Sequence, residues 1–132
     1  MTVNNVLKNK DNEILNPKIP RYEKLKRKLV WQNTNNLNEF PAQTINFDTG
    51  YKYAEIIYYN DSYSNNSLFK TAVCQVGKKF LLDSLYQGYI RTRELTFNDG
   101  NIVFGEGKFG TTVGTLTTSN TQCIPYQIYC YY

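Results

Sequence analysis

The chain contains no histidine, and this absence removes several kinds of site at once. Imidazole is the usual base of hydrolytic triads, a common zinc ligand and the side chain that titrates near neutral pH. No serine or cysteine of this sequence therefore has an imidazole to activate it. We expect a protein that is not an enzyme and that needs no cofactor.

Cysteine is also scarce, with three residues in 132. Cys123 and Cys130 are seven positions apart, so on one regular strand they would face opposite sides of a sheet. Together with Cys74 they make an incomplete metal set, because no histidine completes it. The sequence predicts three packing residues, in a chain made in a reducing compartment, and no metal site.

Long apolar runs are missing. None approaches the roughly 18 residues that a membrane-spanning helix needs. The first five residues, Met-Thr-Val-Asn-Asn, also lack the apolar stretch of a signal peptide. We therefore predict no membrane partner.

Basic residues are concentrated in the first part of the chain. Residues 1–30 hold eight Lys or Arg and three Asp or Glu, a net charge of +5, and the other 102 residues hold seven and eight, a net charge of −1. A basic segment of this kind can bind nucleic acid or an acidic protein surface. A solvated, lysine-rich linker fits the same composition.

Two prolines separate this basic segment from the rest of the chain. Pro17 and Pro20 fix their own backbone and push the residue before each of them toward an extended conformation, so no helix can run through them. Just upstream, Asn9-Lys-Asp-Asn12 favours a turn or a small hairpin. We predict an extended arm over residues 1–24 that contacts another molecule. Its anchoring residues are Ile14, Leu15, Pro17, Ile19, Pro20 and Tyr22.

Residues 25–132 have the pattern of short β-strands. Aromatic residues make up 15% of the chain, and twelve of them are tyrosine, which favours strands and partly solvent-exposed surfaces. Asn98-Asp-Gly-Asn101 is the clearest hairpin turn, and Gly77-Lys78 is interpreted as a second one. The predicted strands are 23–32, 42–47, 51–60, 68–76, 79–85, 86–97, 102–109 and 122–132. We predict an all-β head domain, a β-sandwich or jelly roll, with Pro125 at an edge or a bulge.

Two patterns resemble catalytic or nucleotide sites and are weighed against simpler interpretations. Gly105-Glu-Gly107-Lys-Phe-Gly110 has dinucleotide-binding spacing, but a threonine-rich, β-prone run follows where a helix is required. Bulges or close approach between strands explain these glycines better. Glu55 and Glu94 are the two head carboxylates that fall within strands, and they are the only candidates for a glycosidase pair.

Aromatic and basic residues alternate between positions 86 and 93. Such a stretch suits a stacking platform for sugars or single-stranded nucleic acid. It also suits a half-buried strand on which arginine stems cover tyrosine rings. The candidate ligand-binding residues are Tyr63, Tyr86, Tyr89 and Arg91.

The segment Val6–Tyr22, with its stretch Lys-Asp-Asn-Glu-Ile-Leu-Asn-Pro, resembles the anchor of small tailed-phage fibre and receptor-binding proteins. In those proteins such an anchor precedes a tyrosine-rich β head. Four stretches of the head are also similar to that family. They are Leu-Val-Trp-Gln-Asn (29–33), Ala-Gln-Thr-Ile (42–45), Tyr-Lys-Tyr-Ala-Glu-Ile-Ile-Tyr (51–58) and Cys-Ile-Pro-Tyr-Gln-Ile-Tyr (123–129).

The resemblance implies a virion structural protein that is assembled in the host cytoplasm and is usually a homotrimer. Its arm would dock on other virion proteins of the capsid or baseplate, and its head would face outward for decoration or adhesion to a host-surface glycan. Because the chain has no shaft, it implies a short fibre on the head or baseplate. The alternative is an intracellular β domain that binds carbohydrate or nucleic acid, of which nucleic acid is the less favoured.

The last predicted strand ends in four residues without a polar tail, Tyr129-Cys-Tyr-Tyr132. On a monomer such an end would expose aromatic surface and an unprotected strand edge. We expect Tyr129, Tyr131 and Tyr132, together with one face of Tyr51–Asn60, to lie at the subunit contacts of the trimer.

Overall fold

The computed structural model describes residues 26–35, 38–62, 69–111 and 113–132, and the backbone alone of residues 7–8 and 14–15. Within these ranges the chain is all-β, without a helix, and the head forms two antiparallel sheets. No described helix is long and apolar enough to cross a membrane. Pro17, Ile19, Pro20, Tyr22 and Tyr63 lie outside the described residues.

Eleven strands are described. They are β1 (Leu7–Lys8), β2 (Ile14–Leu15), β3 (Arg27–Gln32), β4 (Gln43–Asn46), β5 (Tyr53–Asp61), β6 (Phe69–Gln75), β7 (Lys78–Tyr86), β8 (Tyr89–Asn98), β9 (Asn101–Thr111), β10 (Thr117–Thr118) and β11 (Gln122–Tyr131). β1 pairs antiparallel with β2, with Leu7 opposite Leu15. This pairing agrees with the small hairpin predicted there, whose turn lies outside the described residues.

One sheet has the strand order β3-β11-β5-β6. On β5, Ala54, Ile56 and Tyr58 are buried as the alternation predicts. The last strand, β11, lies between β3 and β5, so the prediction that it forms an unprotected edge is wrong. Its proline is next to a bulge, because the register with β5 shifts between Pro125 and Gln127. The missing N–H of proline is tolerated at such a place even in a central strand.

The other sheet has the order β10-β9-β8-β7, and β4 also pairs with β9. Asn98-Asp-Gly-Asn101 joins β8 to β9, which confirms the strongest hairpin prediction. Gly100 takes φ +101°, a conformation that glycine adopts without strain. The register of β8 with β9 shifts between Arg93 and Leu95, so a bulge lies opposite Gly105.

Two turn predictions are wrong. β6 and β7 do not form a hairpin: β6 pairs with β5, β7 pairs with β8, and the chain crosses between the sheets at Val76–Gly77. A turn glycine with positive φ bends the chain but does not decide whether the flanking strands pair with each other. The predicted strand 86–97 is also interrupted. Gln87 and Gly88 have φ +52° and +79°, as in a type I′ turn, and they join β7 to β8.

The core lies between the two sheets and includes all three cysteines, which are free thiols. The bulge on β11 shifts the side-chain alternation, so Cys123 and Cys130 both face inward instead of to opposite sides. Burial raises the pKa of each thiol to about 12, so the thiols remain protonated and unreactive at neutral pH. The core residues are Phe40, Ile45, Tyr51, Ala54, Ile56, Tyr58, Tyr59, Ala72, Cys74, Leu82, Leu95, Phe97, Ile102, Phe104, Cys123, Ile124, Ile128 and Cys130.

The two ends of the head differ. At one end are the turns at Gly50, Gly77 and Gly100, and we call it the glycine-turn end. β3, the first strand of this part of the chain, begins at the same end, with Arg27 opposite Tyr131. At the opposite end are the last residues of β5, the Gln87–Gly88 turn and the last residues of β9.

Candidate functional site

At the end away from the glycine turns, β7 and β8 contact the last residues of β5 and are joined by the Gln87–Gly88 turn. Ser84 donates a hydrogen bond to Asn60 near the end of β5. Tyr86 follows two positions later on the same face of β7 and lies opposite Tyr89 on β8. Tyr86 and Tyr89 are 45% and 41% exposed.

The exposed rings belong to a small stacked group, which we call the aromatic shelf: Tyr86, Tyr89, Arg91 and Phe109. The ring of Tyr89 is stacked on that of Phe109, with centroids 5.1 Å apart and planes inclined by 19°. Gln87 Nε2 lies 3.4 Å from the hydroxyl of Tyr86. Phe109 backs Tyr89, so the stacked ring is held in place rather than free to rotate into solvent.

Arg91 lies under the rings. Its guanidinium carbon is 5.4 Å from the centroid of Phe109 and 6.0 Å from that of Tyr89. Its Nε lies 3.0 Å from Oδ2 of Asp61, and the two side chains are only 10% and 8% exposed. This is a nearly buried ion pair whose two charges cancel. The guanidinium Nη1 has no hydrogen-bond partner among the described residues.

Further polar groups are buried next to this pair. Asn60 Nδ2 and Gln122 Oε1 are both inaccessible and without a hydrogen-bond partner in the described ranges. Buried polar atoms are usually hydrogen-bonded, because leaving one without a partner costs about 1–3 kcal/mol. Three such atoms, including Nη1 of Arg91, therefore lie beneath the surface at one end of the head.

Arg93, two positions further along β8, is completely buried and has a structural role. Its Nε donates to the carbonyl of Cys123 at 2.9 Å and its Nη1 to that of Gly105 at 2.8 Å. Its Nη2 donates to the carbonyls of Gln122 and Asn120 at 2.9 and 3.3 Å. Burial lowers the pKa of Arg93 to about 10, which leaves the guanidinium charged at neutral pH.

Within the Gly105–Gly110 run, Gly107 gives room to this arginine. A Cβ on Gly107 would lie 2.4 Å from the carbonyl oxygen of Ser119 and 2.8 Å from Nη2 of Arg93. The prediction that these glycines serve a bulge or a close approach between strands is therefore confirmed at Gly105 and Gly107. Arg93 itself was missed, because three of its four carbonyl partners, at residues 120–123, lie about 30 positions away and leave no local signal.

A second surface is the outer face of the β3-β11-β5-β6 sheet, which we call the assembly face. It brings together residues that the register aligns across four strands: Leu29, Tyr53, Ile57, Val73, Tyr129 and Tyr131. Val73 is 56% exposed, and Tyr53 is 41% exposed. The guanidinium of Arg27 lies 3.5 Å from the ring centroid of Tyr129 and pairs with Glu55 at 2.7 Å. Thr71, Gln75 and Gln127 share the face, so it combines apolar and polar groups.

The two predicted candidates for a carboxylate pair do not meet. Glu55 pairs with Arg27 on the assembly face. Glu94 belongs to the other sheet and lines a shallow depression of about 370 Å³ with Glu106 and Lys108. Among the described residues, no three His, Cys, Asp or Glu side chains are grouped so as to hold a metal ion.

The sequence prediction grouped Tyr86, Tyr89 and Arg91, and the structure brings these three together. Phe109 was not predicted, because it comes from β9, twenty positions away from Tyr89. Tyr129 and Tyr131 lie on the assembly face, whereas the ring of Tyr132 packs on Tyr51, with centroids 4.8 Å apart. Comparison of the chain with protein-family models, curated proteins and solved structures found no match.

Proposed function

We propose that this protein is a non-enzymatic virion protein of a tailed bacteriophage, a short homotrimeric fibre assembled in the host cytoplasm. Its arm, residues 1–24, docks on proteins of the phage head or baseplate. Its β head, residues 25–132, faces outward for adhesion or decoration. The proposal rests on the resemblance of the arm and head to phage fibre proteins.

The observation that supports the outward orientation is that β3, the first strand of the head, begins at the end opposite the aromatic shelf. Arg27, the first residue of β3, lies at the glycine-turn end. Nine-residue strands such as β5 run from that end to the shelf, a length of about 26 Å at 3.3 Å per residue. If the arm is held on a particle, the shelf is the part of the head presented to solvent.

The assembly face supports self-association. Its exposed apolar residues, among them Leu29, Tyr53 and Val73, form a contiguous area of the kind that marks protein contacts. A large aromatic residue buries about 150–250 Å² when it is covered, which offsets the entropy lost on association. In a closed threefold ring each subunit has two neighbours, and no apolar face is left open.

The direct test is whether the polypeptide is present on the virus particle, and at which part of it. Antibody against the head, applied to purified particles of the encoding virus, should label the head or baseplate, and mass spectrometry of those particles should detect this polypeptide. A chain that lacks residues 1–24 should be absent from the particles. Particles without the polypeptide, or particles that still incorporate the shortened chain, would contradict the proposal.

The second candidate is a carbohydrate-binding β domain that works inside a cell. The shelf favours it over a nucleic-acid-binding domain, because Arg91 is already paired with Asp61 and Arg93 is sequestered by carbonyl groups. Nucleic-acid binding relies on cations that are available to phosphates. A monomer in solution would favour this candidate over the fibre.

A further inference from the structure

We propose that the aromatic shelf is a binding site for a neutral saccharide, with a pyranose ring stacked on Tyr89 and its hydroxyl groups bonded at the Tyr86 hydroxyl and the Gln87 amide. This inference rests on the proposed adhesive function and specifies the ligand class of that function. It does not depend on which particle surface receives the arm.

The stacking part of the site is prepared in the free protein. A pyranose ring has a face of C–H groups and a rim of hydroxyl groups, so it prefers a flat apolar surface with polar groups at the side. Tyr89 gives such a surface, because Phe109 supports it from one side at 5.1 Å while 41% of the residue remains exposed. Tyr86, directly opposite on β7, adds a second ring and a hydroxyl group.

The polar part of the site selects a neutral ligand. Arg91 and Asp61 are paired at 3.0 Å, so together they add no net charge to the shelf. The guanidinium Nη1 of Arg91 is itself inaccessible, so the groups that can bond sugar hydroxyls are the exposed Tyr86 hydroxyl and Gln87 amide. Both of these groups are uncharged, and each can donate or accept a hydrogen bond. An anionic sugar or a phosphate backbone would meet no unbalanced positive charge there.

The composition of the site agrees with small-ligand sites in general, which combine apolar and aromatic walls with a few fixed polar groups. The assembly face lacks this combination, because its arginine lies over a tyrosine ring at the surface and pairs with Glu55. The shelf therefore fits a small ligand, and the face fits another protein surface.

The test is a titration of the full-length, ¹⁵N-labelled protein, followed by amide chemical shifts. The neutral probes are maltotriose, cellotriose and chitotriose, the acidic probe is 3′-sialyllactose, and the nucleic-acid probe is a thymidine octamer. We expect at least one neutral trisaccharide to shift amides of residues 84–91 and 107–111, while amides of β5 and β6 stay in place. Shifts with the acidic probe alone, with the octamer alone or with no probe would overturn the proposal.

Two tyrosines of equal exposure provide a matched pair of variants. Tyr89 and Tyr53 are both 41% exposed, one on the shelf and one on the assembly face. Tyr89→Ala should weaken binding of the neutral trisaccharide at least about tenfold, a loss of about 1.4 kcal/mol, whereas Tyr53→Ala should leave it unchanged. Tyr89→Phe should keep most of the affinity, because it keeps the ring. Equal loss in Tyr89→Ala and Tyr53→Ala would overturn the placement of the site.

The same samples separate this inference from the proposed function. Oligomeric mass and particle incorporation are measured without saccharide, so a trimer incorporated in particles but inert to every probe would refute only the saccharide site. A saccharide-binding protein that is absent from the particles would refute only the fibre function.

Discussion

The assembly face and the aromatic shelf both expose tyrosine, and they differ in what lies behind the rings. On the assembly face, tyrosines lie in a broad sheet surface next to leucine, isoleucine and valine, and the nearby ion pair of Arg27 with Glu55 is at the surface. On the shelf, two exposed rings lie above a nearly buried ion pair and near buried polar atoms that have no hydrogen-bond partner in the part of the chain that the structure describes. Equal exposure therefore does not mean equal function: one surface suits another subunit, and the other suits a ligand with hydroxyl groups.

The largest expected effect on stability comes from comparing two arginines, the buried Arg93 and the exposed Arg27 of the assembly face. Arg93→Met would leave four backbone carbonyls near the shelf without their donor, and we expect a loss of about 3–5 kcal/mol in the free energy of unfolding. Arg27→Met, on the assembly face, removes an exposed ion pair and should cost at most about 1 kcal/mol. Urea unfolding monitored by circular dichroism measures both. Similar losses in the two variants would contradict this assignment.

The core behind both surfaces should be sensitive to alkali. Burial raises the pKa of Cys74, Cys123 and Cys130 to about 12 from 9.0, and that of Tyr58 to about 12 from 10.0. Because the unfolded chain loses these protons first, their stabilisation is fully present below about pH 9 and is lost as the pH rises toward about 12. The lowered pKa of Arg93 makes the stability rise with pH instead, but this is a single group, whereas three thiols and Tyr58 lower the stability.

The urea midpoint of the reduced protein should therefore fall between about pH 8 and about pH 10.5. A control at about pH 6 should match the midpoint at about pH 8, since none of these groups titrates between them. A midpoint that rises with pH, or stays constant up to about pH 10.5, would show that the thiols are not held protonated by the fold.

Replacing glycine by alanine in the turns at the two ends of the head should lower the stability by different amounts. Gly100→Ala, at the glycine-turn end, places a methyl group 3.1 Å from Cγ2 of Thr49 at φ +101° and should cost about 2 kcal/mol. Gly88→Ala, in the turn of the shelf, meets no atom within 4 Å and should cost about 1 kcal/mol from its backbone alone. Thermal unfolding compares them. A larger loss at Gly88 would mean that the shelf turn is the more tightly packed.

The smallest effect on stability should come from the exposed tyrosines themselves. Tyr89→Ala and Tyr53→Ala should each lower the free energy of unfolding by less than about 1 kcal/mol, because neither ring is part of the core. The two variants should nevertheless differ in trisaccharide binding and in self-association. If Tyr89→Ala unfolds the protein, the shelf is a structural element rather than a binding surface.

Features decided by neighbouring residues could be predicted from the sequence. The alternation in β5 and the Asn-Asp-Gly-Asn turn specify a strand and a hairpin locally, and both are present. Tyr89 and Arg91 share a face because they are two positions apart on one strand. Tyr86 lies beside them only because the Gln87–Gly88 turn, which the sequence prediction placed within a strand, puts it opposite Tyr89.

Features decided by distant parts of the chain could not be predicted from the sequence. The crossing between the sheets at Val76–Gly77 depends on β5 and β8 offering better partners to β6 and β7 than these strands offer each other. The central position of β11 likewise depends on pairing with β3, about 100 positions away. Phe109 completes the shelf from a third strand, and nothing near it in the sequence indicates that it stacks on Tyr89.

Removing the last four residues would not test self-association, because Tyr129–Tyr131 belong to a central strand and their loss would unfold the head. A better test uses two variants, each of which places one positive charge on one of the two surfaces. Val73→Lys places an ammonium group on the assembly face, and Tyr86→Lys places one on the shelf. Both positions are exposed, so neither change should unfold the protein.

The most direct test of the account is the mass of these proteins in solution by sedimentation equilibrium. We expect the unmodified chain to have three times the 15.4 kDa mass of one subunit, Tyr86→Lys to keep that mass, and Val73→Lys to fall toward a single subunit. A monomeric unmodified chain, or a trimer that Tyr86→Lys dissociates and Val73→Lys does not, would contradict the assignment of assembly to the sheet face and of ligand binding to the shelf.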